Sequence, residues 1–178
     1  MQPNFQTANK PIASGQTLWF LFIFILMMPF SLHAQPATSA GSEMFAFRLS
    51  PGQDLKTEIE KKVAESGWKA VAIVTCVGSL NKAHLRFANQ NEGTEIPGKL
   101  EIVSLTGTVS PAGIHLHMSV SDSTGKTTGG HLLAGNPVYT TAEIVLVILK
   151  DFEFTRETDP TFGYKELKVI RQENPIKK

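Results

Sequence analysis

Three histidines in the C-terminal half of the chain have a spacing suited to metal binding. His115 and His117 are two residues apart, and His131 directly follows the pair Gly129 and Gly130. Residues two apart on a β-strand project from the same face, so the first two imidazoles can share one ion. The glycine pair would let the segment that carries His131 approach a neighbouring strand closely. Three neutral imidazoles and a water form the ligand set of an open zinc site.

Two interpretations of these histidines stay open at this point. Histidines are ordinary on the polar face of a strand, and their spacing alone is only moderately specific. The metal interpretation predicts a divalent cation, with zinc as the first candidate, and a small molecule as the substrate of an enzymatic activity. The chain has no nucleophile elbow, phosphate loop or Cys-x-x-Cys pair that would indicate another chemistry.

Two charged residues are candidates for catalytic roles beside such a site. Glu143 interrupts an otherwise apolar or neutral segment and is the candidate acid/base group, or a further ligand of the metal. Arg86 interrupts another such segment and is the candidate anion-binding group. The alternatives are a salt bridge for Glu143, within the chain or across a subunit interface, and simple solvent exposure for Arg86.

The elements that must position these residues are mostly strands. Residues 114–121 alternate strictly between apolar side chains and histidine or serine, which predicts a half-buried strand. Residues 138–151 are rich in Val, Ile and Thr, so we expect a long strand rather than a helix there, extended by residues 152–158. Residues 54–66 carry apolar side chains at intervals of four and predict a helix. Further strands are expected at residues 44–49, 70–77, 83–88, 100–109, 127–134 and 166–171, with a turn at Gly78-Ser79.

This pattern predicts an α+β domain, a mainly antiparallel twisted β-sheet with one main α-helix. Cys76 is the only cysteine, so the chain cannot form an internal disulfide. Because Cys76 lies in the apolar run of residues 70–77, we expect a packed thiol rather than a nucleophile.

The N-terminal segment has the pattern of a secretory signal peptide. Residues 18–28 are an unbroken apolar run, closed by Pro29 and preceded by a polar stretch that holds Lys10. Eleven helical residues rise about 16 Å, short of the ~30 Å hydrocarbon core of a bilayer. We therefore predict a signal peptide over residues 1–34, with cleavage after Ala34. An uncleaved anchor is the alternative, and Pro29 argues against it because it interrupts any extension of the run.

Cleavage would leave a single exported domain. We predict a flexible linker at residues 35–43, the domain at residues 44–172 and a disordered tail at residues 173–178. The expected location is the periplasm or the exterior, with no stable membrane insertion after cleavage.

Of the 17 Lys and Arg residues only Lys10 precedes residue 35, so the mature chain has 16 basic and 16 acidic residues. Such neutrality makes nucleic-acid binding an unfavoured hypothesis.

Several motifs fall in an order that resembles the plants-and-prokaryotes-conserved (PPC) domain, across about residues 44–172. The segment Val77-Gly78-Ser79-Leu80 follows the predicted helix. The motifs that carry the resemblance after it are residues 98–107 (GKLEIVSLTG), 114–122 (IHLHMSVSD), 129–132 (GGHL) and 141–144 (TAEI), and the turn at residues 156–163.

The resemblance implies a twisted antiparallel sheet with few helices that assembles as a homotrimer. Plant members carry an AT-hook beside this domain, and this sequence has no Arg-Gly-Arg or Gly-Arg-Pro. In those relatives the segment that matches residues 98–103 is associated with protein contacts, and here Lys99 and Leu100 replace the usual Arg and Phe.

The fold also resembles, more distantly, acetolactate decarboxylase, whose metal is held by a similar His-x-His and Gly-Gly-His pair.

The resulting hypothesis is an exported homotrimer that binds a divalent metal through His115, His117 and His131. A trimeric protein-interaction module, or a DNA-binding regulatory module without metal, is the alternative.

Overall fold

A computed structural model describes residues 41–172. Within them the chain forms eight β-strands and one α-helix, and all the strand pairings are antiparallel. In chain order the elements are β1 (Ser42–Leu49), α1 (Leu55–Glu65), β2 (Val71–Arg86), β3 (Thr94–Ser110), β4 (Gly113–Ser121), β5 (Thr127–Leu132), β6 (Val138–Leu149), β7 (Phe152–Thr158) and β8 (Lys165–Arg171).

Six of the strands form one sheet in the order β1-β6-β2-β3-β4-β5. β5 also pairs with the C-terminal end of β2, so that β2, β3, β4 and β5 form a closed circuit of pairings. β7 and β8 form a separate two-stranded sheet. The prediction of a mainly antiparallel sheet with one helix is confirmed for the described residues.

The predicted alternation of β4 is confirmed. Leu116, Met118 and Val120 are each 1% exposed and lie in the core. His115 and His117 lie on the opposite, outer side of the strand and are exposed. Burial of the apolar side chains therefore fixes the direction in which both imidazoles point.

The helix α1 covers the sheet with an apolar stripe. Leu55, Ile59 and Val63 are buried at intervals of four, as predicted. Burying an aliphatic side chain of this size stabilises a fold by roughly 1.5–3 kcal/mol. Asp54 caps the first turn by accepting a hydrogen bond from the backbone N–H of Thr57 at 2.9 Å.

The predicted turn at Gly78-Ser79 is wrong. β2 runs without interruption for 16 residues and pairs with β3 on one side and β6 on the other. The register of β2 against β6 shifts between Ile73 and Thr75 and again between Gly78 and Leu80. Because β2 keeps partners on both sides, these irregularities bend a continuous strand instead of reversing it.

The predicted extension of β6 by residues 152–158 is also wrong. β6 ends at Leu149, and β7 begins at Phe152 and pairs with β8. Asp151 lies in the turn between them, only 5% exposed, and its carboxylate accepts a hydrogen bond from the N–H of Gly41 at 2.9 Å. The turn is thereby tied to the start of β1, while β7 leaves the large sheet.

The ends of the chain are only partly described. β1 begins at Ser42, two residues before the predicted start at residue 44. The predicted signal peptide, most of the predicted linker and the predicted tail at residues 173–178 lie outside the described residues, so the predicted domain boundaries stay predictions. No helix among residues 41–172 is long and apolar enough to cross a membrane.

Cys76 is a packed thiol, as predicted. Its side chain is 2% exposed and belongs to the main core. Burial raises the pKa of the thiol to about 12, because the charged thiolate would lose its hydration. The thiol is therefore protonated at neutral pH and does not provide a nucleophile.

Candidate metal centre

Strand register brings the three predicted histidines together. His117 on β4 pairs directly with His131 on β5, and His115 lies two residues earlier on β4, opposite Thr108 of β3. Directly paired residues in an antiparallel sheet project from the same face, with Cβ atoms about 5 Å apart. The sequence motif accordingly becomes a single cluster in the structure.

The distances within this cluster match those of a metal site. One ring nitrogen from each of the three histidines lies within 4.8 Å of the others. The Nε2 atoms of His115 and His117 are 3.2 Å apart. Two nitrogens at about 2.05 Å from a tetrahedral zinc are about 3.3 Å apart. The first pair of imidazoles is therefore already at the separation that a shared ion requires.

The electrostatics of the cluster favour neutral imidazoles. Burial lowers the pKa of His131 to about 4, together with the repulsion that a protonated His131 would feel from protonated His115, from Arg86 and from protonated His117. Desolvation also lowers the pKa of His115, aided by His117 and Arg156 and opposed by Glu166. Both imidazoles are consequently uncharged at neutral pH, which is the form that binds a metal ion.

One ring nitrogen of His131 has no hydrogen-bond partner among the described residues. Nδ1 of His131 is buried and makes no hydrogen bond within residues 41–172. An unpaired buried nitrogen costs free energy, and coordination to an ion is one interaction that removes such a cost. This observation and the short Nε2–Nε2 distance both show that the donor set fits a divalent cation.

Glycines allow the strands of the site to approach each other closely. A Cβ atom placed on Gly130 would lie 2.8 Å from the carbonyl oxygen of Arg86, so β5 can pair with β2 only because this side chain is absent. A Cβ atom on Gly107 of β3 would lie 2.0 Å from the carbonyl oxygen of His115. The close approach expected of the Gly129-Gly130 pair is confirmed at Gly130.

Arg86 reaches the same region. It pairs with His131 across β2 and β5, and it lines a cleft of about 480 Å³ together with His115 and His131. The structure thus places the predicted anion-binding residue beside two of the three predicted ligands. Its role as an anion-binding group stays a prediction.

Glu143, by contrast, lies elsewhere. It is exposed on β6, where its cross-strand neighbours are Arg48 on β1 and Val77 on β2. It does not line either of the clefts that border the histidines. Its role as an acid/base group stays a prediction, but the structure does not bring it to the cluster.

Sequence analysis missed the residues that the β7–β8 hairpin contributes. Arg156, Lys165 and Glu166 line the 480 Å³ cleft, and Arg156 and Glu166 also border a second cleft of about 310 Å³ with His115 and His117. Arg156 is held there by a hydrogen bond of 3.4 Å from Nη2 to Oγ1 of Thr108. Glu166, and not Glu143, is therefore the carboxylate that lines the clefts beside the histidines. The sequence motifs include Arg156 only as the first residue of the predicted turn at residues 156–163, whereas in the structure Arg156 lies in β7.

Comparison with known proteins identifies the family of this chain. Residues 37–150 match the model of the Plants and Prokaryotes Conserved (PCC) domain, the domain also abbreviated PPC. The chain belongs to the PCC domain family. The resemblance deduced from the sequence motifs is thereby confirmed.

Relatives of this PCC domain include both curated and solved proteins. The bifunctional protein GlmU of Synechococcus sp. strain JA-3-3Ab is 43% identical over 135 residues, which are 76% of this chain but 22% of that protein. A hypothetical protein from Salmonella enterica superposes with a TM-score of 0.74 at 36% identity, covering 76% of this chain and 97% of its own.

Two other solved structures differ in what they are said to bind. A metal-containing protein from Archaeoglobus fulgidus superposes with a TM-score of 0.66 at 25% identity, covering 75% of this chain and 99% of its own. A candidate DNA-binding protein from Bacteroides thetaiotaomicron superposes at 0.63 and is 20% identical, covering 74% of this chain and 98% of its own. The latter likeness shows the fold alone.

Proposed function

We propose that this PCC domain binds one divalent metal ion, zinc in the first instance, through His115, His117 and His131. The observation that carries the proposal is the cluster itself, three imidazoles with donor nitrogens within 4.8 Å of one another. The metal-containing relative from Archaeoglobus fulgidus supports it. Zinc is the first choice because three histidines are a common zinc ligand set.

The chain's own residues would prepare the site in three ways. His115 and His131 are held neutral at pH 7, so binding does not have to displace their protons. The pairing of His117 with His131 fixes the relative position of two ligands on adjacent strands. Arg156 and Glu166 border the cluster from the β7–β8 hairpin.

An enzymatic activity on a small molecule is a further part of the proposal. The cluster borders two open clefts, so a small molecule could reach an ion that the three histidines would hold. A bound zinc ion supplies Lewis-acid chemistry, which polarises a carbonyl or phosphoryl oxygen or lowers the pKa of a water molecule toward about 7. Glu166 is the carboxylate placed to accept a proton there, because it borders both clefts with His115.

Metal content measured by mass spectrometry tests the proposal. The mature protein, purified without a His tag, should contain about one zinc per chain, the stoichiometry of a single three-histidine site. His115→Ala with His117→Ala should reduce the metal to a trace. His84→Ala is the matched control, since His84 lies outside the cluster and bonds instead to the carbonyl of Ala134. Equal trace metal in wild type and the double variant would refute the site.

Assembly as a homotrimer and export belong to the same proposal. Val74 and Val77 on β2 and Val103 on β3 are each at least half exposed, and a subunit interface would bury these valines.

Export is supported by the apolar run of residues 18–28. Cell fractionation with N-terminal sequencing should find a mature chain that begins near Gln35 outside the cytoplasm, and an intact Met1 in the soluble cytoplasm would contradict export.

A further inference from the structure

The larger cleft beside the histidines carries an excess of positive charge. Arg86, Arg156 and Lys165 line it, and Glu166 is the one carboxylate among the described lining residues. The cleft therefore presents a net positive surface, although the mature chain as a whole is formally neutral.

Neither arginine of the cleft forms an ion pair with a carboxylate of residues 41–172. Arg86 donates from Nη1 to the carbonyl oxygen of Gln90 at 3.3 Å, and Arg156 donates to the hydroxyl of Thr108 at 3.4 Å. Both acceptors are neutral, and the ion pairs found within residues 41–172 involve lysines elsewhere. A guanidinium has five N–H donors, so most of the donors of each arginine stay available.

The positive charges lie close to the histidines. Arg86 and Arg156 line the same cleft as His115 and His131. The strand pairing of Arg86 with His131 gives the same proximity in the backbone. A ligand bound by the arginines would thus lie beside the proposed metal ligands.

We propose that this cleft binds a small molecule through an oxyanion, a carboxylate or a phosphate, held by Arg86 and Arg156. The planar fork of a guanidinium matches the paired oxygens of either group, and two such forks at one cleft favour an anion over a neutral ligand. A volume of about 480 Å³ suits a small organic anion. The inference rests on the proposed function in that it names the ligand class of the same site, but the arginine contacts themselves need no metal.

The test uses the metal-stripped mature protein, so that the anion is measured without the ion. Succinate and inorganic phosphate are the probes, and binding is followed by NMR through the imidazole resonances and through the signals of the probe. We expect at least one probe to shift the resonances of His115 and His131 saturably and to leave those of His84 unchanged. The tighter probe identifies the oxyanion class.

Substitutions then assign the binding to the two arginines. Arg86→Gln with Arg156→Gln should weaken binding at least tenfold. Arg48→Gln with Arg171→Gln removes the same charge outside the cleft and should change the affinity less than twofold. Glu166→Gln should strengthen binding, because it removes the one negative charge among the described lining residues.

Two results would overturn the inference. One is the absence of any saturable histidine shift in wild type with either probe, a result that does not depend on whether a variant folds. The other is equal affinity in wild type and a folded double arginine variant. If the anion binds the metal-free protein and zinc does not bind at all, the metal proposal fails while this one stands.

Discussion

At the scale of single residues, the site depends on glycines as well as on the histidines. Gly107 has a φ of 136°, a conformation that side-chain-bearing residues rarely adopt, and it lies against the backbone of His115. The backbone of β4 can lie at this distance from β3 only because Gly107 has no Cβ atom. Gly107 is therefore a positioning residue for the histidine cluster.

Gly107→Ala should destabilise the protein and reduce its metal content, although no ligand is changed. The new Cβ would lie 2.0 Å from the carbonyl oxygen of His115, so β4 must shift. We expect a loss of about 2–4 kcal/mol in the free energy of unfolding, the sum of backbone strain and overpacking. Urea denaturation of the metal-free protein and metal analysis measure the two effects.

Gly98→Ala is the control variant, because it introduces backbone strain without a steric clash like that of Gly107→Ala with His115. Gly98 has a φ of 108°, but apart from its two chain neighbours no atom of residues 41–172 lies within 4 Å of the position that a Cβ would occupy. This variant should lose only about 1–2 kcal/mol and keep its metal. Equal losses in the two variants would show that the contact with His115 is unimportant.

At the scale of elements, one carboxylate ties the start of α1 to the connection between β5 and β6. Oδ1 of Asp54 accepts hydrogen bonds from the N–H and hydroxyl of Thr57. Oδ2 accepts from the N–H groups of Gly135 and Asn136, in the connection between β5 and β6. Asp54 thus joins the start of the helix to the segment that follows the strand of His131.

Asp54→Ala should cost about 2–3 kcal/mol at pH 7, because a helix cap and charged hydrogen bonds are lost together. Burial by itself would raise the pKa of Asp54, but the bonds from Thr57, Asn136 and Gly135 lower it overall. A lowered pKa means that this stabilisation is complete above the unfolded-state value of about 3.9 and is lost as the pH falls through the folded-state value.

The difference between wild type and Asp54→Ala should therefore shrink below about pH 4, when measured by urea denaturation at several pH values. Asp122→Ala is the control, since the hydrogen bonds of that exposed carboxylate stay within its own turn, at Thr124 and Lys126. It should cost less than Asp54→Ala. A difference for Asp54→Ala that stays constant down to pH 3 would contradict the role of its charge.

At the scale of the whole molecule, several apolar side chains of the large sheet are exposed. Val77 and Val103 are 51% and 55% exposed, on the neighbouring strands β2 and β3. Met44 on β1 is 58% exposed. The proposed trimer gives these side chains a partner.

Light scattering should give a mass near three mature chains. Val77→Asp with Val103→Asp should lower the mass to that of one chain, because a charge buried at an interface without a partner is costly. Val169→Asp is the control, on the separate β7–β8 sheet, and should leave the mass unchanged. A wild-type monomer that keeps its fold at micromolar concentration would end the trimer proposal.

The sequence by itself determined the local parts of this protein. Intervals of four predicted α1, and the alternation of β4 put His115 and His117 on one outer face. Both follow from periodicity, because burying apolar side chains fixes the orientation of their neighbours in the chain. The Gly129-Gly130 pair likewise indicated a close approach of strands, and the motifs indicated the family.

Only the tertiary structure decided which groups meet around the histidines. The pairing of Arg86 with His131 depends on β5 returning to the end of β2, and Arg156 and Glu166 arrive on a hairpin outside the large sheet. Glu143, equally plausible from its place in a strand, lies opposite Arg48 instead. Periodicity gives the face of a residue within its own strand, whereas the register and order of strands distant in the chain are set by packing of the whole core. For that reason the histidine cluster and Arg86 were predictable as candidates, whereas the approach of Arg156 and Glu166 was not.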